Sequence, residues 1–279
     1  MDIIQPFLLE KGLFRGSVIR ADKAVADIWA CHDYPDMLRP VLAQGVLAAL
    51  ALGGTLKYDG VFSLQVRGDG PVSTLFVDLT HDGKVRAYMT YDPRRLPPQA
   101  AALGDLFGAG QMLFSVAQVG REPYQGVVAL NPRALADTIA DYFRQSEQTD
   151  TQLVALSRGK TAGLIFLQRM PVPPGQDAAA ADDAWETACV LMRSVAPDEL
   201  CSDTLPAADV LFRLFHAQQV AVLPARTPAF ACRCSQSRMQ GFLQKLPAAE
   251  RDDLYQADTI QTACQFCGRV FQFNRKDFT

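Results

Sequence analysis

Apolar and polar residues alternate along this chain with periods that change several times, and each change marks an element. Residues 22–31 show helical spacing, with Val25, Ile28 and Trp29 on one face. From Pro35 to about position 56 the apolar surface broadens through Leu38, Val41, Leu42, Val46, Leu47 and Leu50, which predicts a buried helix with proline at its start. From Val61 onward the period is two. Phe62, Leu64 and Val66 alternate with Ser63, Gln65 and Arg67, and Leu75, Val77 and Leu79 repeat the pattern before a third run at 84–91. Gly68-Asp69-Gly70-Pro71 and His81-Asp82-Gly83 separate these runs as turns, so a three-stranded antiparallel meander is predicted. A short strand is expected at 18–20, a hairpin from 111–119 and 124–130 around Gly120, and closing strands at 151–156 and 162–168. Asn131-Pro132 reads as the N-cap and first residue of a helix whose inner side carries Leu135, Ile139 and Phe143.

The expected fold class is α+β: an N-terminal antiparallel-sheet domain with packed helices over 1–175, a helical linker over 176–225 and a small C-terminal zinc-binding module over 226–279. A loop rich in proline, glycine and alanine at 171–181 sets the first boundary, and Pro224 with Pro228 brackets the second. Between them lie two helical stretches. One, at 182–195, carries Trp185, Cys189 and Met192; the other, at 206–217, carries Val210, Leu211, Leu214 and Phe215.

Composition narrows the class. With 279 residues, 49% apolar and 20% charged, the chain is long and apolar enough to bury a core without disulfide staples. A net charge of −3 argues against a coat for nucleic acid or anionic membrane. The N-terminus carries Asp2 and no long uncharged apolar run, so no secretory signal is expected. The longest apolar stretch, 41–56, contains Gln44 and three glycines and falls short of the ~20 residues a membrane span needs. The expected compartment is therefore the cytoplasm, where clustered cysteines bind metal or do redox work more often than they form structural disulfides.

Four of the seven cysteines lie in the last segment, as Cys232-Arg-Cys234 and, after a gap of 29 residues, Cys264-Gln-Phe-Cys267-Gly268. Two close pairs of soft thiolates suit one tetrahedral zinc ion, and Gly268 suits the tight turn of a zinc knuckle. A module of this size has a thin core, and structural zinc contributes roughly 10–16 kcal/mol in small metal peptides. That rivals the ~5–15 kcal/mol stability of a whole domain, so losing the metal is expected to unfold the tail. Zinc is redox-inert, which leaves the thiols as the oxidisable part. Arg233, Arg238 and Arg269 stand near them in sequence, either as support for thiolates or as ordinary surface charge.

The cysteine array resembles that of the redox-regulated bacterial heat-shock chaperones of about thirty-three kilodaltons. The resemblance extends over nearly the whole chain, through His32-Asp33-Tyr34-Pro35, the segment 64–71 with Arg67-Gly68-Asp69-Gly70-Pro71, Tyr124-Gln125-Gly126, the segment 141–148 and Leu167-Gln168-Arg169-Met170-Pro171. It implies one zinc per reduced chain on Cys232, Cys234, Cys264 and Cys267. It also implies disulfides Cys232–Cys234 and Cys264–Cys267 on oxidation, and joining either close pair needs little chain movement. The implied activity is that of an ATP-independent holdase. Zinc release and unfolding of the module and linker switch it on for unfolded clients under oxidative stress. Homodimerisation accompanies activation, and clients pass to ATP-driven foldases. If the linker is released, Trp185, Val190, Leu191, Leu211, Leu214 and Phe215 are candidate client-binding residues, exposed by separation from the sheet face of Phe62, Leu64 and Val66.

Two other classes compete. A zinc ribbon that binds nucleic acid is one, but the segment from 226 has eight Lys or Arg against five Asp or Glu, a mild +3 without a basic stripe. An enzyme is the other. The chain has only three histidines; His32-Asp33 lies at a helix start, His81 in a turn and His216 on a helix, and Gly68-x-Gly70 lies between strands rather than before a helix. No enzyme activity, nucleic-acid partner or membrane partner is expected. Cys31, Cys189 and Cys201 read as small buried hydrophobes outside the array, with Cys189 and Cys201 exposed if the linker opens.

Overall fold

The computed structural model describes residues 2–278 except 119, 121 and 176. The end of the expected strand at Val119, Gln176 in the first boundary loop and the terminal Thr279 therefore lie outside the described residues. The expected α+β class is observed.

The chain begins with strands β1 (Ile3–Leu9) and β2 (Phe14–Arg20), paired antiparallel from Ile3↔Arg20 to Leu9↔Phe14. Pro6 and the buried Gln5 interrupt the two-residue period of β1, which hides that strand from pattern reading. Helix α1 (Asp22–Trp29) leads to a 3-10 turn at Asp36–Leu38 and then to α2 (Arg39–Thr55). Pro35, expected to open the long helix, precedes the turn; Pro40 occupies the first turn of α2. The meander follows as β3 (Gly60–Gly68), β4 (Val72–Thr80) and β5 (Lys84–Tyr91), then α3 (Leu103–Phe107) and the hairpin β6 (Gly110–Gln118) with β7 (Tyr124–Ala129). Helix α4 (Leu135–Ser146) starts later than Asn131-Pro132 suggests. Asn131 Oδ1 accepts from the Arg133 amide at 3.0 Å, so its side chain closes a local turn, and extended Ala134 holds the N-cap position. Strands β8 (Thr151–Arg158) and β9 (Thr161–Arg169) close this part.

Two sheets result, with α2 between them. The five-stranded sheet has the order β10-β1-β2-β9-β8, and the six-stranded sheet β11-β5-β4-β3-β6-β7, where β10 (Ala221–Val222) and β11 (Ala229–Phe230) come from after the linker helices. Helix α2 is buried nearly all round, and its backbone presses on β4: a Cβ at Gly45 would lie 2.6 Å from Leu75. The helical run 36–55 is 20 residues long and would pass for a membrane span by length and composition, contrary to the expectation above. Its burial between the sheets marks it as a core helix.

Helices α5 (Ala178–Arg193), α6 (Pro197–Leu200) and α7 (Ala207–Phe215) cover the outer face of the five-stranded sheet. Phe7, Phe14, Val18, Ile165 and Leu167 meet Met192, Leu200, Leu211 and Phe215 there. Buried Arg20 ties the same seam together by donating to the carbonyls of Glu199, Leu200 and Leu205 at 2.9, 2.7 and 2.6 Å. This corrects one expectation. Phe62, Leu64 and Val66 face the α2 core, and the linker rests on the other sheet.

The chain then crosses between sheets. Strand β10 pairs with β1, the Arg226 backbone exchanges two hydrogen bonds with Ile4, and β11 runs parallel to β5. Position 226 thus falls inside a stretch that serves both sheets. The remaining elements are α8 (Gln236–Gln244), α9 (Ala248–Asp253) and the hairpin β12 (Thr259–Ala263) with β13 (Val270–Asn274). Their own core is small: Leu243, Ile260, Cys264, Phe271 and Phe273.

Candidate metal centre

Residues 231–235 run without regular hydrogen bonding between β11 and α8, whose N-cap Ser235 accepts from the Arg238 amide at 3.2 Å. In an extended chain, side chains two apart share a side and the one between points away. Cys232 and Cys234 accordingly turn to the second pair, and Arg233 turns to the six-stranded sheet. The second pair sits in the turn between β12 and β13. Cys264 accepts the amides of Cys267 and Gly268 at 3.3 and 2.8 Å, and Gly268 takes φ +68°, which a side chain would resist.

All four sulfurs lie within 4.8 Å of one another. Cys232 is 3.7 Å from Cys264, and Cys234 is 3.5 Å from Cys267. A tetrahedron with Zn–S ≈ 2.3 Å has sulfur edges of about 3.8 Å, so this donor set fits a zinc ion. Both of these separations join the two segments. Among the thiols, burial opposes ionisation of Cys232. The Cys234 amide and the neighbouring thiols outweigh it and bring Cys232 down to about 7. Burial leads in pushing Cys234 and Cys267 up. A metal ion supplies what a lone thiolate in this cluster cannot, a charge that stabilises all four at once.

One residue from inside each cysteine pair, Arg233 and Phe266, docks on the six-stranded sheet. Arg233 Nη2 donates to Asp78 at 2.8 Å; the same buried carboxylate accepts from Arg86 at 3.0 and 2.6 Å and from Ser63 at 2.6 Å. The Phe266 ring meets Phe76 and Tyr88 edge-on at 5.9 and 5.0 Å, and the Arg86 guanidinium lies 3.8 Å from its centroid. Of the arginines near the thiols, Arg233 therefore serves the sheet, and Arg238 donates to the Arg233 carbonyl at 2.6 Å.

Cys31, expected as a small buried hydrophobe outside the array, is half-buried beside the cluster. Its carbonyl is 3.3 Å from where a Cβ on Gly268 would stand, and burial, then Cys232, raise its thiol. Cys189 and Cys201 are buried as expected, with burial pushing Cys189 up to about 11. Among the candidate client-binding residues, Leu211, Leu214 and Phe215 are buried against the five-stranded sheet and Trp185 packs edge-on to Phe14 at 5.3 Å. Leu191 is half-buried, and Val190 is already exposed. His32 stacks on Tyr34 at 4.6 Å, while His81 and His216 are exposed. A cleft of 430 Å³ between the sheets is lined by Tyr124, Tyr142, Glu147 and Gln168 and contains no cysteine.

The profile of the family described as Hsp33 protein matches residues 2–274. A 33 kDa chaperonin of Nitrosococcus oceani is 31% identical over 277 residues, covering 99% of this chain and 92% of the relative. That of Shewanella oneidensis is 32% identical over 277 residues, covering 99% and 94%. A crystal structure of the 33 kDa chaperonin of Thermotoga maritima is similar with a TM-score of 0.82 over 99% of this chain and 96% of that one, at 18% identity, a likeness of fold.

Proposed function

The chain belongs to the Hsp33 protein family, and we propose that it is an ATP-independent holdase switched on by oxidation of Cys232, Cys234, Cys264 and Cys267. The observation that carries this is the four-sulfur cluster at the centre of a module with only five buried core residues among those described. Reduced, the four cysteines would hold one zinc ion, which supplies positive charge to the thiolates and a crosslink between two chain segments. Peroxide oxidises each pair: two thiols give up two protons and two electrons to form one S–S bond, and each peroxide molecule leaves as two waters. The pairs are Cys232–Cys234 and Cys264–Cys267, the pairing that the family resemblance implies. A disulfide sulfur is a poor ligand, so the crosslink between segments is lost, and the small core does not hold α8, α9 and the hairpin together.

In this reading 1–175 is the core and client-binding domain, 176–225 the linker, and 226–279 the switch. Loss of the module withdraws Arg233 and Phe266 from the six-stranded sheet and loosens the β10–β11 stretch that anchors the linker. Linker residues Trp185, Leu191, Leu211, Leu214 and Phe215 then become available to unfolded clients, with Val190 already exposed. The chain dimerises on activation, works in the cytoplasm and passes clients to ATP-driven foldases. It acts by binding rather than by catalysis. The nucleic-acid ribbon is less well supported, because Arg233 is committed to Asp78, and Arg275 lies 3.3 Å from Asp252 and 3.9 Å from Asp258.

Light scattering from a heat-unfolded client, with zinc release read in parallel, tests the proposal. Reduced chain should carry one zinc and leave aggregation unchanged, and peroxide with mild heat should release zinc and suppress aggregation. Equal behaviour of the two redox forms would refute it.

A further inference from the structure

The outer face of the six-stranded sheet carries one small aromatic site. Phe76 on β4 and Tyr88 on β5 are cross-strand partners with rings stacked at 5.8 Å and 15°. Arg86 lies two residues before Tyr88, and Asp78 two after Phe76, so all four share this face. The two rings and the guanidinium enclose the Phe266 ring, and Arg233 completes the hydrogen bonding of Asp78, whose side chain is 7% exposed.

Binding a metal through sulfur places no demand on the residues between the cysteines. Phenylalanine and arginine stand there, and both side chains make their contacts on the sheet. When the module leaves, an aromatic cage opens and a buried carboxylate loses one of its two cationic partners.

We propose that this cage is a client-recognition site, and that Phe266 and Arg233 fill it in the resting chain as a surrogate client. Its occupant after release is an extended unfolded segment bearing an aromatic side chain close to an arginine or lysine. The inference rests on reading the chain as an oxidation-activated chaperone. The ring must be aromatic because the edge-on contacts and the Arg86 face reward a π-system, which leucine lacks. The neighbouring cation takes the place that Arg233 leaves on Asp78.

Fluorescence anisotropy on the full-length chain tests this with two short unstructured peptides of equal length. One carries Phe and Arg at several positions; the other carries Leu and Gln in their place. The oxidised chain should bind the Phe/Arg peptide about tenfold more tightly, and Tyr88→Ala should remove most of that preference. The double substitution Arg233→Ala/Phe266→Ala should undock the module while keeping its zinc. The reduced double variant should then bind the Phe/Arg peptide without oxidant. Equal affinity for the two peptides, a preference unchanged in Tyr88→Ala, or no gain in the zinc-loaded, undocked double variant would overturn the inference. If oxidised chain suppresses client aggregation yet lacks the preference, only this inference falls. If it neither suppresses aggregation nor binds either peptide, the chaperone reading falls and takes the inference with it.

Discussion

The two sheets are covered on their outer faces by different means. On the five-stranded sheet, α5–α7 bury a continuous apolar seam that includes Phe7, Phe14, Met192, Leu211 and Phe215, with Arg20 bonded to three linker carbonyls. Each fully buried side chain of this kind contributes roughly 1.5–3 kcal/mol. On the six-stranded sheet, the cysteine module docks chiefly through the Phe266 ring and the Arg233–Asp78 ion pair, each worth about 1–3 kcal/mol, with Gly268 close to the Cys31 carbonyl. The first cover is part of the core; the second depends on the four sulfurs keeping Arg233 and Phe266 in place. In the proposed switch, oxidation acts first on the weaker cover, and the linker follows through the β10–β11 stretch.

The largest effect that separates the two covers is expected from Cys264→Ser. It removes a buried sulfur of the proposed zinc site, so zinc content should fall well below one per chain and the module should lose its cooperative unfolding transition, read by zinc titration and calorimetry. Strands β1–β9 of the two sheets should stay protected from hydrogen exchange. Phe215→Ala, at a fully buried position of the linker seam, should cost about 3–5 kcal/mol and lower the main thermal midpoint with zinc binding unchanged. A midpoint unchanged by that substitution would mean that the linker is not part of the core.

How far these covers were legible in the sequence differs for the same reason. The meander and the cysteine pairs are local patterns, readable from spacing alone, and the sulfurs do converge. Arg233 and Asp78 are 155 residues apart, and no local period links them. The sheet that receives the linker is likewise set by long-range topology, since Phe62 and Phe14 look equally apolar in sequence but face different layers. Strands β10 and β11 have two residues each, too short for any period to show. Asn131 misled because its side chain suits a turn as well as a cap.

Smaller effects sharpen the contrast. Cys189 should alkylate slowly in reduced chain near pH 8, because burial lifts its thiol to about 11 and the thiolate is scarce. Its labelling, followed by mass spectrometry, should speed up only when the linker opens, after zinc has gone. Acceleration before zinc release would reverse the proposed order. Val190→Ala, at a position 62% exposed, should shift stability by no more than about 0.5 kcal/mol in a denaturant titration. A larger loss would place Val190 in a packed contact.

Pulse-labelled hydrogen exchange during stepwise peroxide addition, with zinc release followed in the same samples, tests the central claim most directly. Protection over 231–274 should disappear in step with the zinc while β1, β2 and β9 keep theirs. A module that stays protected after all four thiols have been consumed would contradict the account.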